Sequence, residues 1–169
     1  MTKGPSFVIG VDPGVKGGMA LINAIAGRLM AVVSFANKKT VDEVVAAMVG
    51  WKEFLSGDRV VVYIEKVHFI KGDGGKGSFT FGRIDGGLLW GWKCLGFKVK
   101  EVPPTTWMSH MNCMTGGEKN VSKNRAKVLF PDYEKKFGVT HAVADAILIA
   151  EFGRHKEIEL AKAETEKGE

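Results

Sequence analysis

The sequence predicts a single α/β domain built on a mixed sheet, and three observations support this class. The chain has 169 residues, which is about the size of one domain. With 45% hydrophobic and 25% charged residues, it can bury a core and is not expected to be disordered. Strand-like apolar runs and segments of helical periodicity follow one another in the order three strands, helix, strand, helix, strand, helices.

The composition also excludes several classes of protein. No apolar run approaches the roughly 18 residues that a membrane span needs. Cys94 and Cys113 are too few for a disulfide framework or a four-thiolate zinc site, so we expect reduced thiols. P-loop and dinucleotide-binding motifs are absent. We therefore expect an intracellular protein that has no membrane segment and binds no small-molecule cofactor.

The predicted strands are apolar or alternate between apolar and polar residues, and turn signals bound them. They cover residues 7–11, 17–22, 29–35, 60–64 and 97–102. The first ends at Asp12, which Pro13 and Gly14 follow as a strong turn signal, and the second returns as its hairpin partner. The fourth is apolar throughout and ends at Glu65, which indicates a central strand.

Helical periodicity predicts the remaining elements. The expected helices cover residues 41–55 (after an N-cap at Thr40), 78–95, 105–111, 121–129 and 141–153. Glycines such as Gly82 and Gly86 inside the second helix lower its stability, which suggests close approach of another backbone. Residues 71–77 hold four glycines and two lysines and are expected to form a loop. Residues 156–169 are charged and are expected to fray after a single domain at 1–155.

The positive charge lies in the middle of the chain. The whole sequence carries a net charge of +5, while residues 1–65 are close to neutral. Residues 66–127 contain 11 basic and only 4 acidic side chains, a net charge of +7. Such a segment suits a polyanion such as nucleic acid, although a solvated basic surface without a partner has the same composition.

Three acidic residues occupy unusual positions next to or within apolar elements. Asp12 and Glu65 end strands that would share the carboxyl edge of the sheet, and Asp145 interrupts the apolar helix at 141–153. His141 lies one turn before Asp145, on the same helical face. Clustered carboxylates suit Mg²⁺ or Mn²⁺, and two such ions about 3.5–4 Å apart would clamp a phosphodiester. Taken singly, Asp12 also fits an Asx turn, Glu65 a surface strand end and His141 a helix start.

Five collinear segments resemble RuvC-type Holliday-junction resolvases, in particular their phage and organellar branch. Residues 8–14 (Val-Ile-Gly-Val-Asp-Pro-Gly) resemble the first motif, and residues 64–68 (Ile-Glu-Lys-Val-His) resemble the second acidic motif. Residues 77–83 are similar to the start of the loop and helix of that branch, and residues 102–107 to its Val-x-Pro-x-x-Trp segment. Residues 141–150 resemble its terminal His-x-x-Ala-Asp-Ala motif. Together the matches span roughly residues 6–153.

This resemblance implies a ribonuclease-H-like fold with a mixed five-stranded sheet flanked by helices. It also implies a homodimer that nicks four-way DNA junctions symmetrically with Mg²⁺, for which Mn²⁺ would substitute, and two ions per active site. Asp12, Glu65, His141 and Asp145 would be the metal ligands. Many members of this family carry a further carboxylate three residues before the last aspartate, where this sequence has Ala142, and His141 is the available substitute. Because of Ala142, a junction-binding protein with weak or vestigial catalysis is the alternative.

The resemblance also suggests roles for residues of the basic segment. Lys119 and Lys123 occupy a stretch like the one that supplies phosphate-binding lysines in the family, and solvated lysines are the ordinary alternative. The expected DNA contacts are His68, Phe69, Lys71, Lys76 and Arg83. Trp90 and Trp92 belong either to a dimer face or to the core. Phage debranching is one setting that fits this branch, in the host cytoplasm or another DNA-containing compartment.

Overall fold

The structure is a computed structural model that describes residues 4–36, 40–66, 75–114, 116, 118 and 120–166, except the side chains of Lys76 and Ser78. Within these residues, five strands form one sheet: β1 (Phe7–Asp12), β2 (Gly18–Asn23), β3 (Arg28–Ser34), β4 (Val60–Glu65) and β5 (Lys98–Val102). Their order is β3-β2-β1-β4-β5. The β1–β2 and β2–β3 pairs are antiparallel, whereas β1–β4 and β4–β5 are parallel. The predicted mixed five-stranded sheet is confirmed.

Helices cover both faces of the sheet. The described helices are α1 (Val41–Phe54), α2 (Gly75–Cys94), α3 (Pro104–His110), α4 (Val121–Leu129), α5 (Pro131–Phe137) and α6 (His141–Glu166). One core joins the sheet to α1 and α2, and a second core joins it to α3, α4 and α6. None of these helices combines the length and apolarity that crossing a membrane requires.

The alternation of side chains along β1 explains why both faces are covered. Val8 contributes to the core under α6, whereas Ile9 and Val11 contribute to the core under α1 and α2. Gly10 lies directly beneath α6, and a Cβ there would lie 2.2 Å from the carbonyl oxygen of Ala146. The glycine therefore lets α6 pack against the backbone of β1 at the helical turn that carries Asp145.

The structure corrects several expected boundaries. Residues 75–77 belong to α2 rather than to a loop, and α5 was not predicted. Within one chain, no described atom lies within 4 Å of a Cβ placed at Gly82 or Gly86, so no other backbone of the same chain approaches α2 there. Cys94 is exposed and Cys113 is buried, and both are free thiols.

In the structure, α6 continues without interruption to Glu166, beyond the expected end of the domain at residue 155. The physical reason is a polar anchor on the sheet. The hydroxyl of Tyr63 on β4 donates a hydrogen bond to Glu157 Oε1 (2.8 Å), and Lys100 on β5 forms an ion pair with the same carboxylate. Satisfying this partly buried carboxylate fixes α6 to the sheet at Glu157.

Candidate active site

Asp12 ends β1 and is fixed by the turn that follows it. Its Oδ1 accepts a hydrogen bond from the backbone N–H of Gly14 (3.0 Å), so the expected Asx turn is present. Gly17 closes the turn, where a Cβ would lie 2.2 Å from the Asp12 carbonyl oxygen. Burial raises the pKa of Asp12 to about 6, the Gly14 hydrogen bond acts against this shift, and repulsion by Asp145 adds to it.

Glu65 ends β4 at the same edge of the sheet. Val11 pairs with Ile64 in parallel register, so the residues that follow, Asp12 and Glu65, are neighbours across the two strands. The indole N–H of Trp107 on α3 donates a hydrogen bond to Glu65 Oε2 (2.8 Å). Burial raises the pKa of Glu65 to about 7, the Trp107 hydrogen bond lowers it, and repulsion by Asp12 and Asp145 raises it further.

Asp145 comes from α6, on the side of the sheet that faces α4. Burial raises its pKa, whereas the nearby hydroxyl of Ser122 and the side chain of His141 lower it. Its Oδ1 is buried and has no hydrogen-bond partner among the described residues. Because Asp145 shifts the pKa of both Asp12 and Glu65, the three carboxyls form one electrostatically coupled group.

The remaining sequence-predicted residues differ in how they relate to this group. His141 is the exposed first residue of α6 and interacts electrostatically with Asp145. Arg83 is exposed on α2 and lines a cavity of about 480 Å³ together with Gly14 and Val15 of the turn after Asp12. Lys123 lies on α4, where its described electrostatic partner is Glu134 on α5. His68, Phe69, Lys71 and Lys119 lie outside the described residues, as does the side chain of Lys76.

The chemistry of the donors fits a hard divalent cation. Asp12 and Glu65 end adjacent strands, Asp145 on α6 acts on the pKa of both, and the orphaned Oδ1 of Asp145 is a buried acceptor that a cation would satisfy. As the side chains are placed, however, no three His, Cys, Asp or Glu residues within the described ranges converge to form a closed metal site. Repulsion among ionised carboxylates favours separated side-chain positions, so binding a cation requires some of these side chains to rotate inward.

Sequence reasoning missed two polar neighbours of the carboxyls. Trp107 was recognised only as part of the Val-x-Pro-x-x-Trp segment, and Ser122 was not singled out. Both are buried, yet each interacts with an acidic residue more than 20 positions away in the chain. The available signal was a tryptophan on a short helix with several polar residues, because the N–H of a buried tryptophan usually finds a partner.

The sheet order and the mixture of parallel and antiparallel pairs define a ribonuclease-H-like fold. The chain shares this fold with Thermus thermophilus RuvC. The complex of that protein with a Holliday junction substrate matches with a TM-score of 0.60 and 19% identity over 90% of this chain and 95% of that chain. A second Thermus thermophilus RuvC structure matches with a TM-score of 0.61 and 18% identity over 90% and 96%.

A eukaryotic protein has the same architecture. The yeast mitochondrial Holliday junction resolvase Ydc2 matches with a TM-score of 0.54 and 12% identity, over 92% of this chain and 80% of that chain. No protein-family model and no curated protein matches the chain. The resemblance to RuvC-type proteins is thus confirmed for the fold, and the activity has to be argued from the site.

Proposed function

We propose that this protein is a metal-dependent endonuclease that resolves four-way and related branched DNA junctions. The observation that carries the proposal is the group formed by Asp12, Glu65 and Asp145 at the carboxyl edge of β1 and β4. Structures of the same fold include a RuvC bound to a Holliday junction, and the basic middle segment of this chain suits DNA.

In this proposal, Asp12, Glu65 and Asp145 hold Mg²⁺, and His141 provides a further ligand in place of the carboxylate that Ala142 lacks. Two bound ions would activate water and stabilise the charge that develops on the scissile phosphate. The chain itself orients the ligands: Gly14 fixes one oxygen of Asp12, and Ser122 lies against Asp145. Hydrolysis would be direct, without a covalent intermediate on the protein.

Arg83 supports a DNA path beside the site. It is exposed, and the cavity that it lines reaches the turn after Asp12, so its guanidinium could contact a phosphate near the scissile bond. His68, Phe69, Lys71, Lys76 and Lys119 remain sequence-based candidates for further contacts. Lys123 is a weaker candidate, because its positive charge already interacts with the carboxylate of Glu134.

A homodimer would supply the paired active sites that symmetric nicking requires. The outer face of α2 is suited to a second copy of this chain, since Phe79 and Trp90 are 68% and 66% exposed. Gly82 and Gly86 lie between them on the helix and present bare backbone. The open glycines would allow the helices of two copies to approach closely, and the exposed aromatic side chains would be buried between them.

A junction-binding protein with weak or vestigial catalysis is the second candidate. The observation that favours it is Ala142, together with the separated placement of the described acidic side chains. Three acidic residues beside a polyanion argue against it, because a protein that only binds DNA gains nothing from their repulsion.

Cleavage of an immobile four-way junction tests the proposal. The protein would be incubated with the junction or with a linear duplex of the same sequence, in Mg²⁺ or in EDTA. We expect paired nicks on opposing strands of the junction, in Mg²⁺ only. The matched control is Asp145→Asn, which should remove nicking and keep junction binding, because it removes one negative ligand.

The outcomes separate the two candidates. Tight junction binding without nicks in Mg²⁺ or Mn²⁺ would favour the vestigial binder and make Ala142→Asp the variant to test for recovery. Nicking by Asp145→Asn at the wild-type rate would contradict the metal-site proposal.

A further inference from the structure

Trp107 makes a contact that core packing does not require. The side chain is completely buried, and its indole N–H donates a hydrogen bond to Glu65 Oε2 over 2.8 Å. This bond connects α3 to the end of β4, 42 positions earlier in the chain. A hydrogen bond from a buried donor to a carboxylate is strong and directional.

The path of the chain places this indole under the sheet edge. Val102 at the end of β5 pairs with Glu65 in parallel register. Pro103 and Pro104 end the strand and begin α3, since proline suits the start of a helix. Trp107 follows within the first turn of that helix, so its ring lies beneath the carboxyl end of β4.

α3 is also fixed to α6, the helix that carries Asp145. His110 Nε2 and His155 Nδ1 are 3.1 Å apart and share a hydrogen bond. The His110 ring also packs edge-on against Phe152, with 5.2 Å between the ring centroids. Thus α3 links the strand that carries one site carboxyl to the helix that carries another.

We infer that Trp107 is a positioning residue for Glu65, which holds one carboxylate oxygen so that the other faces Asp12 and Asp145. The inference rests on the proposed function, because it assigns Trp107 a purpose only if Glu65 binds a metal ion. A residue that orients a metal ligand by a hydrogen bond commonly changes metal affinity by about 10- to 100-fold. Trp107 would therefore act on metal affinity and leave DNA binding unchanged.

The chain contains a matched control for this inference. Trp92 on α2 is likewise completely buried, but its indole N–H has no hydrogen-bond partner among the described residues. Replacing either tryptophan with phenylalanine removes an indole N–H and reduces the ring. Only Trp107→Phe also removes the hydrogen bond to Glu65, so any difference in metal affinity between the two variants reports that bond.

The experiment measures binding of Mn²⁺ to the DNA-free protein, with free Mn²⁺ followed by electron paramagnetic resonance. We expect Trp107→Phe to weaken Mn²⁺ binding by about tenfold or more, and Trp92→Phe to leave it unchanged. Four-way junction binding in EDTA should be the same for both variants. Equal Mn²⁺ affinity of Trp107→Phe and wild type, or equal weakening by both variants, would overturn the inference.

A second measurement uses protein that keeps all four tryptophans. With ¹⁵N-labelled tryptophan, Glu65→Gln should shift one indole N–H resonance, and Mg²⁺ added to the wild type should shift the same one. If Glu65→Gln and Mg²⁺ shift different indole resonances, the inference is refuted. This test does not depend on whether Trp107→Phe folds. Failure of the proposed function looks different: the wild type would bind Mn²⁺ and show these shifts, yet would not nick junctions.

Discussion

Replacing Asp12 with asparagine should stabilise the metal-free protein while removing the proposed nuclease activity. The carboxyl of Asp12 has a raised pKa because folding takes it away from water, so its ionised form opposes folding. Asparagine is neutral and nearly the same size. Its side-chain oxygen can still accept the hydrogen bond from Gly14, so the turn is retained.

The size of this effect follows from the pKa. The pKa rises from 3.8 to about 6, and one unit corresponds to about 1.4 kcal/mol, so ionised Asp12 costs up to about 3 kcal/mol at high pH. Between pH 3.8 and about 6, the folded protein keeps a proton on Asp12 that the unfolded chain has lost. The free energy of unfolding is therefore highest below the unfolded pKa and falls as the pH rises through about 6. The gain from Asp12→Asn should therefore be about 3 kcal/mol at about pH 8 and only about 1 kcal/mol at about pH 4.5. Because Asp12 is partly accessible to water, these values are upper limits.

Urea denaturation in EDTA at the two pH values measures this difference. Asp58→Asn is the control, because Asp58 is exposed in the loop before β4 and its replacement should change stability little at either pH. Added Mg²⁺ should stabilise the wild type more than Asp12→Asn at about pH 8, since the ion would offset the cost of burying the ionised carboxylate. A gain of the same size at both pH values, or a loss of stability at about pH 8, would refute the electrostatic argument.

Three further predictions concern other parts of the molecule. His141→Ala should raise the Mg²⁺ concentration needed for half-maximal junction nicking by about tenfold, because the imidazole is the proposed substitute ligand beside Asp145. Trp90→Glu should convert a dimer to a monomer in analytical ultracentrifugation, whereas Val128→Glu, equally exposed on α4, should not. Tyr63→Phe should lower the free energy of unfolding by about 1 kcal/mol in urea, because the carboxylate that anchors the end of α6 loses a donor.

Each of these predictions has a result that would contradict it. An unchanged Mg²⁺ requirement would make His141 a structural residue at the start of α6. A monomeric wild type, or a dimer that survives Trp90→Glu, would remove the outer face of α2 as the contact. If Tyr63→Phe leaves stability unchanged, the Lys100 ion pair alone holds Glu157.

Local sequence signals predicted most of the fold because the corresponding elements depend on local chemistry. The capping box at Thr40 is one example, where the side chain accepts from Glu43 N–H and Glu43 accepts from Thr40 N–H. The apolar run before Glu65 is another, since a strand buried on both faces has few alternatives. Asp12 and Glu65 were placed at one edge from strand ends alone, and the parallel register confirms that placement.

The sequence is less informative where a distant contact decides the structure. Residues 156–166 have the composition of a fraying tail, but Tyr63 and Lys100 on the sheet hold Glu157 in a helix. Gly82 has no neighbour within 4 Å of a Cβ in the described chain, so the close packing that the sequence suggested there would need a second copy. The hydrogen bond of Trp107 to Glu65 joins residues 42 positions apart, and no local pattern encodes it.

Two glycines that contact the backbone of neighbouring residues show how closely the fold and the site depend on each other. Gly10 and Gly17 have no room for a Cβ, and they hold α6 against β1 and close the turn at Asp12, so both position carboxyls. Burying those carboxyls, and to a smaller extent their mutual repulsion, opposes folding when they are ionised, as the raised pKa values of Asp12 and Glu65 indicate. Tight packing around Gly10 and the anchors at Glu157 and His155 stabilise α6 against that repulsion. A protein with no use for a cation at this edge would be more stable with neutral residues there, which is why the retained carboxyls favour a metal-dependent activity.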